Sequence, residues 1–416
     1  MRILYTLGIN LYTLGIRVAA ICGHTKARQM VNGWHDWRRE RKKWKVESGE
    51  WVWFHAASLG EFEQARPVLE TYRQRHRGCR VLVTFFSPSG YEVRKNYPLA
   101  DHIIYLPPDT PCNVCKLLDT YNPKVAFFVK YEFWYNYLGE LRRRGIPTYI
   151  FSTIFRPEQY FFKWYGGWFR KQLRTCFKHL FVQNEESLYL LKSHGIDQCS
   201  LAGDTRFDRV HQIAQAAEPD TVAEQFLDGH EGKVLVAGST WPPDEQLIAK
   251  LKVEDLKLKV ILAPHVIGEE HLQAIEKLFP DSVRYSAIKD HKTPKDLKDL
   301  NVLIIDNIGL LSKLYRYADV AYIGGGFGVG IHNILEAVTF GKPVFFGPNY
   351  HKFQEAKDIT ALGGGWSILS EHDMKDGAFM QLLSHPESLQ HASQACTYYM
   401  QKNLGSTDII LRTIEN

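Results

Sequence analysis

From residue 51 onward the chain repeats one rhythm, a short apolar run followed by a stretch long enough for a helix. WVWFHAA (51–57), RVLVTFF (80–86), HIIYL (102–106), KVAFFVK (124–130), PTYIFST (147–153) and HLFVQ (179–183) read as strands joined by crossover helices. That order makes a parallel, doubly wound sheet. Between about 204 and 230 the rhythm breaks, and DTRFDRVHQIAQAAEPDTVAEQF has helical polarity with no strand. It resumes with KVLVAGS (233–239), KVILAP (259–264), NVLIID (301–306), DVAYIGGG (319–326) and KPVFFGP (342–348). Two α/β halves joined by a polar connector follow, with the cleft between them as the expected ligand site.

A length of 416 residues exceeds one typical core and allows two stable domains. The net charge of +5 is mild, so composition does not imply nucleic acid. Charge is uneven, however: WRRERKKWK (37–45) holds six basic residues, one acid and the two tryptophans Trp37 and Trp44. Such a run suits a solvated helix face, and Trp beside Lys and Arg also suits an anionic membrane surface. The seven cysteines are scattered, and Cys112-Asn-Val-Cys115 has no second pair to complete a zinc site. They read as reduced packing residues of a cytosolic protein, with no metal expected.

The N-terminus duplicates LYTLGIN as LYTLGIR. A seven-residue offset returns to nearly the same helix face, so Leu4, Leu7, Leu11 and Leu14 form an apolar stripe. Arg17 interrupts the apolar run, which argues against a secretory signal. The segment is also short and polar for a span of about 20 residues. An in-plane interfacial helix is the expectation, a helix packed on the protein's own core the alternative.

The richest stretch for chemistry is YIGGGFGVGIHNILEAVTFGKPVFFGP (322–348). A strand ends at Ile323, a glycine loop including Gly325 follows, and a helix is expected to start near His332. Such a loop and helix end form an anion site suited to a nucleotide phosphate, with Asn333 and Glu336 sharing a face and Glu336 facing ribose hydroxyls. A tight turn with an Asn cap and a solvated Glu reads equally well. The late position and the lack of GxGxxG argue against a nicotinamide enzyme. GSTWPPDEQ (238–246) offers the hydroxyls of Ser239 and Thr240 to a phosphate, or as a helix cap. DNIGLLSKLY (306–315) places Gly309 before a helix, where free backbone groups can read a base edge. In the first half, FHAASLGEFEQARPVL (54–69) puts Glu61 at the start of the helix after the first strand of its sheet. A helix-end acid is ordinarily structural, and the dipole that keeps it ionised weakens it as a base unless burial compensates. Glu132 is the second candidate acid, or a cap for a helix starting at Phe133.

The order of motifs over about residues 51–370 resembles the Kdo transferases, the 3-deoxy-D-manno-octulosonic acid transferases of lipopolysaccharide biosynthesis, which have the two-domain GT-B fold. The residues that carry the resemblance are His55-Ala56-Ala57-Ser58-Leu59-Gly60-Glu61, Thr84 with Ser87-Pro88-Ser89-Gly90, and Tyr105-Leu106-Pro107 with Asp109. Glu132-Phe133-Trp134 with Asn136, Gln183-Asn184-Glu185-Glu186, and Gly203 with Arg206-Phe207-Asp208 continue it. Ser239-Thr240, Asp306 with Gly309, Gly324-Gly325 and His332-Asn333 with Leu335-Glu336-Ala337 complete it.

The resemblance implies an inverting transfer of Kdo from CMP-Kdo to a tetraacyl, bisphosphorylated lipid A precursor (lipid IVA), with Glu61 as general base and no metal. It places CMP-Kdo against Ser239, Thr240, His265, the Ile308-Gly309-Leu310 backbone, Gly325, Asn333 and Glu336. Ser58, Gly60, Ser87, Glu132 and Arg206 become acceptor or structural site residues. The implied organisation is a membrane-associating helical segment (1–45), an acceptor-binding Rossmann-like domain (46–210), a CMP-Kdo-binding domain (211–395) and a C-terminal helix (396–416) packing back on the first domain. The duplicated helix and the basic run would bind the cytoplasmic leaflet of the inner membrane and favour a bisphosphorylated acceptor. Two departures stand out: His265 occupies the place of an Arg after Leu262-Ala263-Pro264, and Ile154 that of a basic residue. They fall where acceptor or Kdo carboxylate contacts are implied. The competing readings are a GT-B enzyme using another nucleotide sugar and an inactive peripheral lipid-binding protein.

Overall fold

The computed structural model describes residues 1–41, 49–251, 256–290 and 297–415. It divides into two compact units, Met1–Arg209 with Leu404–Asn416, and Val210–Asn403. In sequence, the first change of unit thus falls next to the expected boundary, whereas the second comes at 403/404 rather than 395/396. The reason is a break between two helices: Pro386–Asn403 stays with the second unit, and Ser406–Glu415 begins after Gly405, whose φ is +99°.

The first unit is built on seven parallel strands, β1 (Trp51–Ala56), β2 (Arg80–Phe85), β3 (His102–Tyr105), β4 (Val125–Val129), β5 (Thr148–Thr153), β6 (His179–Val182) and β7 (Cys199–Leu201). They lie in the order β3-β2-β1-β4-β5-β6-β7. Side chains alternate between the two faces. Trp51 and Trp53 of β1 join Ala126 and Phe128 of β4 in one core, while Val52 and Phe54 join Phe127 and Val129 in the other. Burial on both faces explains why these strands read as unbroken apolar runs. Its helices begin with α1 (Arg2–Ile21), α2 (Thr25–Glu40), α3 (Leu59–Arg75), α4 (Pro88–Arg94), α5 (Pro111–Tyr121) and α6 (Tyr135–Arg143). The C-terminal helix Ser406–Glu415 closes the unit by burying Ile410 and Leu411. Asp208 fixes its start, accepting from the Gly405 and Thr407 backbone N–H groups at 2.8 and 2.6 Å.

The second unit carries β8 (Lys233–Thr240), β9 (Leu258–Pro264), β10 (Ser282–Arg284), β11 (Val302–Ile304), β12 (Val320–Ile323), β13 (Val344–Phe346) and β14 (Gly365–Ser367). Their order is β10-β11-β9-β8-β12-β13-β14, again all parallel. In the first sheet the strand order reverses between β1 and β4, and in the second it reverses at the centre between β8 and β12, with β10 outside β11 at one edge. Ligands of open α/β sheets bind at such a switch point, outside the carboxyl ends of the strands.

The N-terminal helix corrects two expectations. At 20 residues α1 outruns the duplicated segment and is long and apolar enough, by length and composition, to cross a membrane. It is nevertheless tied to the first unit by polar bonds. Tyr5 Oη donates to Asp109 Oδ2 at 2.7 Å, and Arg2 Nε to Asn136 Oδ1 at 3.1 Å. A crossing helix would forfeit those bonds, whereas one lying in the interface keeps them and leaves Leu4, Leu7, Leu11 and Leu14 exposed. Trp37, expected at a membrane surface, is instead buried in the first unit's core, and Trp44 lies outside the described residues.

Asp109 is almost wholly buried, and that burial raises its pKa to about 6 against the lowering effect of the Tyr5, Asn136 and Tyr137 hydrogen bonds. A folded-state pKa above the unfolded value means the stability this group contributes is present below about pH 4 and is lost as pH rises through about 6. Tyr5→Phe removes one of the bonds that favour the carboxylate, at a cost of about 1.5–3 kcal/mol. Amides of α1 that open when the helix detaches should therefore lose roughly ten- to hundredfold in hydrogen-exchange protection, with a larger loss at about pH 8 than at about pH 5.

Candidate active site

Glu61 sits in the first turn of α3, immediately beyond β1. Ser58 caps that helix, its Oγ accepting a long 3.5 Å bond from the Glu61 N–H, while Glu61 Oε2 accepts from the Ala57 N–H at 2.5 Å. The loop is also held from β2's end, where the Ser87 N–H donates to the Ala57 carbonyl at 2.7 Å and Ser87 Oγ caps α4. A side chain at Gly60 would meet nothing within 4 Å, so no neighbour there demands glycine. Burial pushes the Glu61 carboxyl above the usual glutamate range, and the charge of Glu132 adds to the rise. The Ala57 N–H, His55 and Lys130 pull the other way without reversing it.

Glu132 lies beyond the end of β4, across the switch point from Glu61. The helix expected at Phe133 begins at Tyr135 with Trp134 in the cap position, so Glu132 caps nothing. Its Oε2 instead accepts from Trp134 Nε1 at 2.7 Å and lies 3.0 Å from Nε2 of His55, which is fully buried on β1. His55 Nδ1 is 2.8 Å from Thr84 Oγ1, which itself accepts from Trp53 Nε1 at 2.9 Å. Trp134 Nε1 also donates to His55 Nε2 at 3.0 Å, and the Thr84 carbonyl lies 3.1 Å from Nδ1, so both ring nitrogens are engaged. This buried line fixes Glu132, and it joins residues of three strands that sequence reading treated separately. Arg206 is tied locally, its Nε donating to Asp204 Oδ2 at 2.7 Å.

In the second unit, the loops after β8 and β12 meet at the other switch point. Ser239 has φ +54°, the left-handed region, and its backbone approaches so closely that a Cβ on Gly324 would stand 2.2 Å from the Ser239 carbonyl oxygen. The phosphate contact expected of Thr240 is corrected: Thr240 is fully buried and its hydroxyl donates to Glu245 Oε1 at 2.9 Å. The glycine loop is likewise less open than expected. Gly325 N–H donates to Asp244 Oδ2 at 3.0 Å, and the Gly328 and Gly330 N–H groups donate back to the Gly325 carbonyl at 2.9 and 3.3 Å. The helix expected near His332 starts at Leu335 and runs only to Val338, too short for an appreciable dipole.

Asn333 and Glu336 do come together, Asn333 Nδ2 donating to Glu336 Oε1 at 3.2 Å, and burial raises the Glu336 pKa. His265, at the end of β9, stacks between Trp241 and His332 with ring centroids 4.8 and 4.4 Å away. Burial and the neighbouring His265 lower the His332 pKa, favouring a neutral ring there. Exposed Ile308 and Gly309 and half-buried Leu310 form a turn before the short helix Leu311–Leu314, with Gly309 at φ +94°. Sequence reading missed Asp244, which accepts from Trp241 N–H, Tyr322 Oη and Gly325 N–H at 2.9, 2.7 and 3.0 Å and so ties β8's loop to β12. Its only signal was an acid in a Pro-Pro-Asp-Glu helix start. The described residues contain no group of three or more His, Cys, Asp or Glu able to hold a metal, and all seven cysteines are free.

Residues 32–209 match the family model described as 3-deoxy-D-manno-octulosonic-acid transferase (kdotransferase). The chain is 26% identical over 330 residues to the 3-deoxy-D-manno-octulosonic acid transferase of Aquifex aeolicus, covering 78% of this chain and 83% of that one. The Rickettsia bellii enzyme of the same name is 24% identical over 399 residues, 93% of this chain and 94% of the relative. Among solved structures, UDP-GlcNAc 2-epimerase from Neisseria meningitidis superposes with a TM-score of 0.61 at 17% identity, covering 88% of this chain and all of that one. MurG from Acinetobacter baumannii superposes at 0.53 and 13%, over 88% of this chain and 98% of that one. These structures share the fold of this chain, whose two parallel seven-stranded sheets are of GT-B type. The chain thus carries a Kdo transferase domain over residues 32–209, which contains Glu61, Glu132 and His55, is similar through its second sheet to the Kdo transferases of lipopolysaccharide biosynthesis, and is a glycosyltransferase.

Proposed function

We propose that this enzyme transfers Kdo from CMP-Kdo to a sugar hydroxyl of a tetraacyl, bisphosphorylated lipid A precursor, with inversion at the anomeric carbon and without a metal. Glu61 takes the acceptor proton as the hydroxyl oxygen forms its bond to that carbon. The bond from the carbon to the CMP phosphate oxygen breaks on the opposite face, and CMP leaves with the electron pair. The observation that carries this reading is the state of Glu61: it stands at a switch point, its carboxylate is held by the Ala57 N–H, and burial with the nearby charge of Glu132 raises its proton affinity. A helix-start glutamate is ordinarily too weak a base, and this environment moves it toward one that works near neutral pH.

Glu132, locked by His55 and Trp134, is assigned to the acceptor side together with Ser58, Gly60, Ser87 and Arg206. The donor side takes the Asn333–Glu336 pair for the CMP ribose, the Ser239 hydroxyl for its phosphate and the Ile308-Gly309-Leu310 turn for cytosine. His265 and His332 face the same region with polar ring atoms that can donate to phosphate. The work is done at the cytoplasmic face of the inner membrane, where the exposed apolar side of α1 meets the leaflet holding the acylated acceptor.

Glu61→Gln keeps an acceptor for the Ala57 N–H, so it separates chemistry from folding. Transfer of labelled Kdo should fall by about 10²–10⁴-fold. Because a raised folded-state pKa makes the ionised glutamate a cost to the fold, melting at about pH 8 should be unchanged or higher. Equal transfer by both proteins would remove Glu61 as the base. The acid limb of kcat/KM should lie above the ordinary glutamate value of about 4.3, since only ionised Glu61 accepts the proton. Glu132→Gln removes a charge that raises that pKa, so whatever activity remains should show its acid limb at lower pH. On the donor side, CMP should raise the melting temperature more than UDP at equal concentration, in line with about 2.7 kcal/mol at a hundredfold excess over Kd; an equal or larger shift with UDP would reassign the nucleotide.

A further inference from the structure

Outside the site described above, the first unit has a cavity of about 530 Å³ formed where α1, α2 and the start of α5 meet. Four cations line it, Arg17 of α1, Arg38 and Arg41 at the end of α2, and Lys116 of α5, and no carboxylate among the described residues does. None of the four side chains makes a hydrogen bond or ion pair to a described residue, apart from the Arg41 guanidinium resting over the Trp37 ring at 5.4 Å. Arg41 Nε is buried with no hydrogen-bond partner among the described residues. Asp109 lies between the lining residues Pro108 and Thr110, but its carboxylate is engaged by Tyr5, Asn136 and Tyr137. Four like charges around one hollow repel one another, and their unengaged donors fit an anion rather than a structural network.

The wall between these cations is equally suited to an anion. The cavity reaches the first turn of α5, an 11-residue helix with Pro111 in its opening turn. Its cap residue Thr110 makes no side-chain cap bond, which leaves the positive end of the helix uncapped beside the cations.

The cavity also opens onto lipid-like surface. Leu14 lines it and at the same time belongs to the stripe Leu7, Leu11, Leu14 and Val18, whose members are each more than half exposed. A polyanionic head would sit among Arg17, Arg38, Arg41 and Lys116, while an apolar tail would run along α1. That continuity of a cationic hollow with an exposed apolar helix face selects an amphiphile over a free anion.

We propose that this cavity is a binding site for the phosphate headgroup of an anionic membrane phospholipid, separate from the acceptor site at Glu61. It rests on the membrane-association part of the proposed function, but its test needs no sugar transfer. The bound lipid would hold the N-terminal helix pair flat on an anionic bilayer.

The full chain is assayed for binding to vesicles of phosphatidylcholine alone and of phosphatidylcholine with phosphatidylglycerol. Each cation near an anionic surface contributes about fivefold to binding, so Arg17→Gln, Arg38→Gln and Lys116→Gln together should cost about a hundredfold on the anionic vesicles. Binding to phosphatidylcholine alone should change little, because α1's apolar stripe is untouched. Arg77→Gln, Lys124→Gln and Lys192→Gln, three exposed cations of the same unit away from the cavity, provide the charge-matched control and should cost far less. A local readout is the exposed Cys112, which lines the cavity. In a Cys22→Ser background its alkylation rate, followed by peptide mass, should fall severalfold with phosphatidylglycerol vesicles and stay unchanged with phosphatidylcholine vesicles or millimolar inorganic phosphate. Equal losses in the two triple variants would overturn the proposal in favour of undirected charge attraction. Protection of Cys112 by free phosphate alone would overturn the choice of lipid. Unchanged vesicle binding with a raised KM for the phosphorylated acceptor would overturn it in favour of an acceptor subsite.

Discussion

A parallel sheet covered on both faces leaves its strand ends as the place where polar chemistry can stand, and this chain contains two such sheets. Each strand must be apolar on both sides to be buried, so ionisable groups are pushed to the turns where strands hand over to helices. At the reversal of strand order neighbouring crossovers leave in opposite directions and open a crevice. In the first sheet that reversal lies between β1 and β4, and these strands lead into Glu61 and Glu132. In the second it lies between β8 and β12, which lead into Ser239-Thr240 and the glycine loop.

Glu61 shows two general effects competing at one residue. The helix start and the Ala57 N–H favour the carboxylate, and terminal dipoles of this kind contribute about 0.3–1 kcal/mol. Partial burial and the nearby charge of Glu132 favour the protonated form, and together they prevail. The arrangement depends on Glu132 being unable to swing away. His55 and Trp134 hold it from the protein side, and Thr84 and Trp53 hold His55 in turn. The sequence carries these residues in separate runs, and nothing local says that they form one line.

That distinction explains what could be read in advance. The longer strands announce themselves because burial on both faces leaves an apolar run in the sequence. β7, β10 and β14 are three-residue edge strands containing Ser200, Ser282 with Arg284, and Ser367, and they carry no such mark. Glu61 and the Asn333–Glu336 pair were legible because a local motif contains their whole geometry. His55 with Glu132 was not, because β1 and β4 are neighbours only through sheet pairing. The same limit applied to the glycine loop. Glycines 324 to 330 announced a phosphate cradle, yet Asp244, from the helix after another strand, occupies the Gly325 N–H, and the loop's own carbonyl takes two more amides. Gly325 is required by shape: at φ +91° a Cβ there would stand 2.5 Å from the Gly330 carbonyl oxygen.

The N-terminal helix pair divides its work between faces in a way that the duplication alone did not show. Tyr5 and Arg2 look inward to Asp109 and Asn136, so the helix is attached by polar bonds and not by its leucines. That leaves the leucine stripe free to meet lipid without first undoing the fold. Trp37 follows the opposite logic, since an aromatic beside arginines on α2 packs inward and carries Arg41 over its ring. The basic residues are thus displayed by a buried tryptophan, and their position beside the leucine stripe comes from α2 folding back along α1. Charge and apolar surface that lie apart in sequence are thereby brought to one edge of the unit, while its site at β1 and β4 is organised by a separate set of bonds, those that hold Glu61, Glu132 and His55.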